Sequence, residues 1–218
     1  MAHHRSDIAA ALQSAGIVGI IRMSDASQLR DVSAALVEGG LRALEVTMTT
    51  PGAVDLIRAL APGLPADFIL GAGTVTDPET VSRVVDAGAR FVVSPVFRRA
   101  VVEACHRHDV PALPGCFTPT EILDAWEAGA DIVKVFPATA LGPPYIRDVL
   151  APLPHVKLMP TGGVTVDNAG DWIRAGAVAV GLGSALLDRT AIAARDFGTI
   201  ADLARRAVAS VAAARGAR

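Results

Sequence analysis

Glu127-Ala128-Gly129-Ala130-Asp131-Ile132-Val133-Lys134-Val135-Phe136-Pro137 joins the end of a helical pattern to a short apolar run, with a glycine at the junction. Glycine there closes a helix by entering the left-handed backbone region. The β-branched run that follows reads as a parallel strand buried on both faces. The phrase recurs along the chain. Glu38-Gly39-Gly40 precedes Leu41 to Val46, Asp86-Ala87-Gly88-Ala89 precedes Arg90 to Ser94, and Arg174-Ala175-Gly176-Ala177 precedes Val178 to Gly181.

Four further apolar runs lie between these copies: Ile17 to Arg22, Phe68 to Ala72, Val110 to Pro114 and Val156 to Pro160. Each of the eight runs leads into a helical pattern, often behind a capping residue such as Ser24, Thr76, Thr118 or Thr165. Eight strand–helix units with no Pro-, Ser- or charge-rich linker predict one α/β domain over residues 1–218, a single closed (β/α)8 TIM barrel. An open doubly wound sheet would need a topological switch point and usually has fewer units. Within residues 1–16 the stretch Ser6 to Ala15 predicts a leading helix that caps the bottom of the barrel. The Ala- and Arg-rich residues 207–218 predict a last helix that frays.

Composition narrows the function classes. A chain of 218 residues with 51% hydrophobic and 19% charged residues is long and apolar enough for a full core, and unlike a disordered chain. Its net charge of −2 leaves no electrostatic footprint for nucleic acid or an anionic membrane surface. No apolar run reaches the roughly 18–20 residues that span a bilayer. Met1 to Gly16 lacks the charged-then-apolar order of a secretory leader, and Cys105 and Cys116 form neither a disulfide framework nor a metal spacing. A cytoplasmic address is the expectation.

Only two lysines occur, Lys134 and Lys157; the other cationic side chains are arginines. An amine can lose its proton when desolvated and become a nucleophile, which a guanidinium cannot. The plain alternative is a lysine whose stem lies along the strand while its head reaches water. Barrel chemistry sits at the C-terminal ends of the strands. Lys134 is late in its strand, whereas Lys157 opens its own and belongs to the opposite rim.

The same rule selects other polar groups. Arg22 ends the first strand and can hold a carboxylate, or else form a rim ion pair. Glu45 shares a face with Ala43 and Thr47 by period-2 alternation; inside the barrel its pKa should rise, which suits proton transfer or a structural pairing with an interior cation. Thr161-Gly162-Gly163 and Gly181-Leu182-Gly183-Ser184 are expected to open onto helix N-termini and offer backbone N–H groups to a phosphate. No histidine pairs with a carboxylate at ligand spacing, so no metal is expected. Cys116 has no identifiable base beside it, so a nucleophilic role is not assigned. The set suits Schiff-base chemistry on a phosphorylated keto acid.

Seven segments also carry a resemblance: Leu44-Glu45-Val46-Thr47, Gly71-Ala72-Gly73-Thr74-Val75, Val93-Ser94-Pro95, Pro114-Gly115, Lys134-Val135-Phe136-Pro137, Gly142-Pro143-Pro144-Tyr145-Ile146 and Pro160-Thr161-Gly162-Gly163-Val164. Over Ile17 to Leu187 the chain resembles the class I aldolases acting on 2-keto-3-deoxy-6-phosphogluconate and 4-hydroxy-2-oxoglutarate. The resemblance implies Lys134 as the imine-forming lysine and Glu45 as the proton-moving group. It implies Thr74, Pro95, Phe136 and Thr161 around the pyruvyl half, Gly162, Gly163 and Ser184 at the phosphate end, no cofactor, and a homotrimer. In one departure Thr49 stands where several members carry an arginine; others carry it at the end of strand one, as Arg22 does here.

The expected reaction is cleavage of 2-dehydro-3-deoxy-6-phosphogluconate to pyruvate and glyceraldehyde 3-phosphate. The galactonate epimer or unphosphorylated 4-hydroxy-2-oxoglutarate would use the same chemistry. A non-catalytic phosphate- or sugar-binding barrel would instead keep Lys134 as an ion-pair partner. A phosphosugar isomerase would want a metal cluster or two carboxylates that the sequence does not offer.

Overall fold

The computed structural model describes residues 4–23 and 27–216. Strands and helices alternate along most of it. The strands are β1 (Ile17–Ile21), β2 (Ala43–Thr47), β3 (Ile69–Gly73), β4 (Val92–Val93), β5 (Ala112–Leu113), β6 (Gly115–Cys116), β7 (Val133–Val135), β8 (Leu158–Pro160) and β9 (Val180–Leu182). The helices are α1 (Arg5–Ala15), α2 (Leu29–Glu38), α3 (Ala53–Leu60), α4 (Pro78–Asp86), α5 (Arg99–Arg107), α6 (Pro119–Glu127), α7 (Gly142–Leu150), α8 (Ala169–Arg174), α9 (Arg189–Ala193) and α10 (Phe197–Gly216).

All strand pairs are parallel. Six strands form a curled sheet in the order β5-β4-β3-β2-β1-β9, and three form a second sheet in the order β6-β7-β8. The fifth apolar run, Val110 to Pro114, therefore supplies only β5, and a second short strand, β6, follows it. Pro114, which has no N–H to give the ladder, lies between them. Its carbonyl still accepts from Lys134 N at 2.9 Å. At the other side Thr161 and Gly181 form a parallel bridge, and Val178 N donates to Leu158 O at 3.0 Å.

Alternation along the strands separates two apolar clusters. One contains Val18, Ala43, Ile69, Phe91, Val93, Ile132, Met159 and Ala179, joined from below by Ile8 and Leu12 of α1. The other, larger cluster lies between the strands and the helices. Side chains two residues further along each strand share the first cluster's face. That places Ile20 and Arg22, Glu45 and Thr47, Gly71 and Gly73, Pro95, Lys134 and Phe136, and Thr161 in the same upward progression. Gly71 is required there, because a Cβ would lie 2.3 Å from the Phe91 ring.

Two local expectations change. Asp77 rather than Thr76 caps α4, accepting from Thr80 N at 2.7 Å, since a carboxylate one residue before Pro78 reaches the free amide. Thr118 does cap α6, in a box with Glu121, whereas Ser24 lies outside the described residues. Fraying was expected over residues 207–218, yet α10 continues to Gly216 with Ala207, Val211 and Ala214 buried. Arg215 is the reason: its guanidinium donates to Gln13 O and Ser14 O, free carbonyls in the last turn of α1, and to Val178 O at 3.0 Å. Among the described residues no helix is long and apolar enough to cross a membrane.

Candidate active site

Lys134 and Glu45 reach the same apolar interior from β7 and β2. Lys134 is 6% exposed and Glu45 1%. Their charges interact, and Arg22, one residue beyond β1 and itself exposed, acts on both. The Lys134 ammonium nitrogen lies 4.8 Å from the centre of the Phe136 ring. Among the described residues neither carboxylate oxygen of Glu45 has a hydrogen-bond partner. A buried carboxylate without partners is costly and is held towards its neutral form.

Burial dominates both titrations. It pushes the Glu45 carboxyl up from its ordinary range, against the opposing pull of Lys134 and then Arg22. It pushes the Lys134 amine down; Glu45 opposes this and Arg22 adds to it. Burial thus moves both groups towards their neutral forms, the direction that makes a lysine better able to attack and a carboxylic acid better able to give up a proton near neutral pH, while their mutual attraction opposes it.

Gly73 makes this arrangement sterically possible. A Cβ there would lie 2.4 Å from Glu45 Oε1 and 2.7 Å from its Cδ. The Gly71-Ala72-Gly73 segment carried only a weak signal in the sequence. Combining period-2 alternation with a neighbouring-strand register, Glu45 opposite Gly71 and Thr47 opposite Gly73, could have found it.

The remaining rim residues fall around this pair. Thr161 follows β8, is 5% exposed, and its hydroxyl has no partner among the described residues. It fits only because Gly181 opposes it, where a Cβ would come within 2.3 Å of Thr161 Oγ1. Pro95 follows β4 and packs on Gly115, whose Cβ would meet Pro95 O at 2.3 Å. Thr74 follows β3 with φ 62°, a left-handed conformation unusual for a β-branched residue.

The glycine turns depart from expectation. Gly162 and Gly163 both have positive φ, 89° and 74°, and Gly183 and Ser184 lie on the partly exposed rim after β9. Neither turn opens directly onto a helix. After Gly163, Asn168 and Thr165 bond reciprocally and α8 starts only at Ala169. After Ser184, α9 starts at Arg189 behind its own cap, Asp188. Asp188 caps α9, but α8 has no side-chain cap: Thr165, expected to cap it, bonds Asn168 in the loop before the helix, so both glycine turns are separated from a helix N-terminus by loop residues.

Other reactive groups sit elsewhere. Burial pushes the Cys116 thiol up to about 12, consistent with its exclusion as a nucleophile. Lys157 precedes β8, and its charge acts on Asp131, which precedes β7. Among the described residues no group of histidines, cysteines and carboxylates is arranged to hold a metal ion. Sequence reasoning missed a hydroxyl cluster beside Glu45: Thr47 Oγ1 lies 2.9 Å from Thr49 Oγ1 and 3.5 Å from Thr50 Oγ1.

Comparison with known proteins supplies an independent line. The family model for KDPG and KHG aldolases matches residues 8–203. A 2-dehydro-3-deoxy-phosphogluconate aldolase of Treponema pallidum is 36% identical over 197 residues, covering 90% of this chain and 93% of that protein. A 2-dehydro-3-deoxy-6-phosphogalactonate aldolase of Escherichia coli is 35% identical over 170 residues, covering 75% and 83% respectively. Among solved structures, KDPG aldolase from Legionella pneumophila, with pyruvate captured as a covalent carbinolamine, superposes with a TM-score of 0.83 at 30% identity. That match covers 90% of this chain and 96% of the other.

Proposed function

We propose the reaction that follows from one premise: the chain belongs to the KDPG and KHG aldolase family. It is a class I aldolase, a carbon–carbon lyase that cleaves 2-dehydro-3-deoxy-6-phosphogluconate to pyruvate and glyceraldehyde 3-phosphate. The observation that carries this reading is a desolvated amine, Lys134, facing a buried carboxylate, Glu45, in an apolar interior.

The neutral Lys134 amine attacks the C2 ketone, forming a carbinolamine that loses water to give an imine. The iminium draws electrons from the C3–C4 bond once the C4 hydroxyl gives up its proton. Glyceraldehyde 3-phosphate leaves, and pyruvate remains as an enamine until C3 is reprotonated and water releases it. Glu45 moves these protons through a bridging water, a task helped by its raised pKa.

Arg22 holds the substrate carboxylate, taking the part that Thr49 cannot. Thr74, Pro95, Phe136 and Thr161 surround the pyruvyl half, while Gly162, Gly163, Gly183 and Ser184 receive the phosphate. The reading includes one closed eight-stranded barrel, supported by the bonds at Pro114 and at the Thr161–Gly181 bridge. It includes a single domain, a cytoplasmic setting and a homotrimer, to which Val96 and Phe117, exposed at 47% and 40%, offer apolar surface. No cofactor takes part.

Borohydride reduction in the presence of pyruvate tests the central step. The expected result is one reduced pyruvate, found by mass on the peptide containing Lys134. A folded protein that gains no mass would remove Lys134 from the chemistry. A variant tests the geometry. Gly73→Ala is expected to lower kcat at least about tenfold by displacing the Glu45 carboxylate, while pyruvate is still trapped. Unchanged kcat in a folded Gly73→Ala protein would show that Glu45 need not stay where it is.

A further inference from the structure

The end of β1 and the turn after β2 are tied together by a side chain. Met23 N, the amide next after Arg22, donates to Thr50 Oγ1 at 3.4 Å. Thr50 is 2% exposed, and Thr47, at 1%, stands behind it with its hydroxyl 3.5 Å away. The turn that carries Thr50 is itself anchored. Thr50 N donates to Thr47 O at 2.9 Å, and Met48 N donates to Gly73 O on β3 at 2.8 Å. A buried hydroxyl on a fixed turn therefore holds the backbone at the point where the ladder of β1 has ended.

We infer that Thr50 is a positioning residue for Arg22. By holding the Met23 amide, it keeps the guanidinium over the mouth, where it meets the substrate carboxylate. This inference rests on the aldolase reading and deepens it: Thr50 touches no reacting atom and acts through Arg22. The ladder alone does not perform this task, since the β1–β2 register ends at Ile21 opposite Val46. Nor does the Thr50 hydroxyl merely fill space, because it is the acceptor for an amide that has left the sheet.

Thr50→Val keeps the shape and removes the acceptor. Borohydride trapping is followed as a function of pyruvate concentration, with the melting temperature measured alongside. Half-maximal trapping by Thr50→Val is expected at about tenfold more pyruvate, while Thr50→Ser, which keeps the oxygen, stays within about twofold of the unsubstituted protein. In an Arg22→Ala background Thr50→Val should add nothing further, because the group it positions is already gone.

The pH profile gives a second readout. The charged groups acting on Lys134 are Glu45 and Arg22. Loosening Arg22 withdraws a neighbouring cation, so the acid limb of trapping should move to higher pH in Thr50→Val. A purely structural lesion would lower the melting temperature without moving that limb.

Wild-type pyruvate dependence in Thr50→Val, or an undiminished effect in the Arg22→Ala background, overturns the inference and leaves the aldolase reading intact. An unsubstituted protein that traps no pyruvate overturns both. If Thr50→Val does not fold, Thr50→Ala removes the same oxygen without adding a methyl and carries the same outcomes.

Discussion

Lys134→Arg is expected to lower turnover by at least about 10⁴-fold, to the assay background, and to abolish borohydride trapping of pyruvate. The substitution retains a positive charge beside Glu45 but removes the nucleophile, since a guanidinium stays protonated throughout the accessible pH range. It thereby separates an ion-pair role from a covalent one. If Lys134 served only to neutralise Glu45, arginine would be tolerated and a rate within about tenfold of the original would remain. That result would sink the Schiff-base mechanism.

The fold should survive, with a loss of about 1–3 kcal/mol for forcing a bulkier group into a packed interior. Thermal unfolding measured beside the pyruvate-release assay distinguishes inactivity from misfolding. Lys134→Met, close in volume and uncharged, provides the control for packing, and it should be equally inactive.

The second large effect is expected for Glu45→Gln. Turnover should fall by about 10²–10⁴-fold, the range associated with losing a positioned acid–base group. Pyruvate trapping should suffer less, because the amide leaves the Lys134 amine in place. The acid limb of trapping gives the sign. Burial and Arg22 both lower the Lys134 pKa, whereas Glu45 raises it. Removing the carboxylate charge leaves only the lowering influences, so the amine remains neutral to lower pH and the acid limb moves down. A limb that moves up, or a kcat that does not change, would count against this coupling of the two groups. The opposite shift expected for Thr50→Val makes the two variants a matched pair.

Several parts of this molecule can be read without coordinates because they depend on short-range rules. The repeated helix–glycine–strand phrase is local chemistry: a left-handed C-cap followed by a β-branched run yields the same geometry at Gly88, Gly129 and Gly176. Period-2 alternation is equally local, and it put Glu45 on the face of Ala43 before the register was known. The lysine contrast rests on strand direction, which ranks positions: Lys134 falls within β7, whereas Lys157 lies just before β8. Other details were beyond such rules. Pro114 divides a ladder only when partner strands exist for it to fail to bond. Arg215 converts an expected frayed end into a continuous helix through carbonyls roughly 200 positions earlier in the chain.

The sequence by itself determined the order of elements, the strand faces and the chemical types available: one in-strand amine, one in-strand carboxylate, one arginine at a strand end. These follow from backbone periodicity, glycine conformational freedom and the intrinsic acidity of side chains. Only the tertiary structure decided what surrounds them. The direction of the Glu45 and Lys134 titrations depends on water being excluded by strands distant in sequence, and the space for the Glu45 carboxylate depends on a missing Cβ at Gly73 on the neighbouring strand. The tie from Thr50 to Met23 depends on two loops being brought side by side. Desolvation and steric fit are properties of non-local packing, so they have no local signature along the chain.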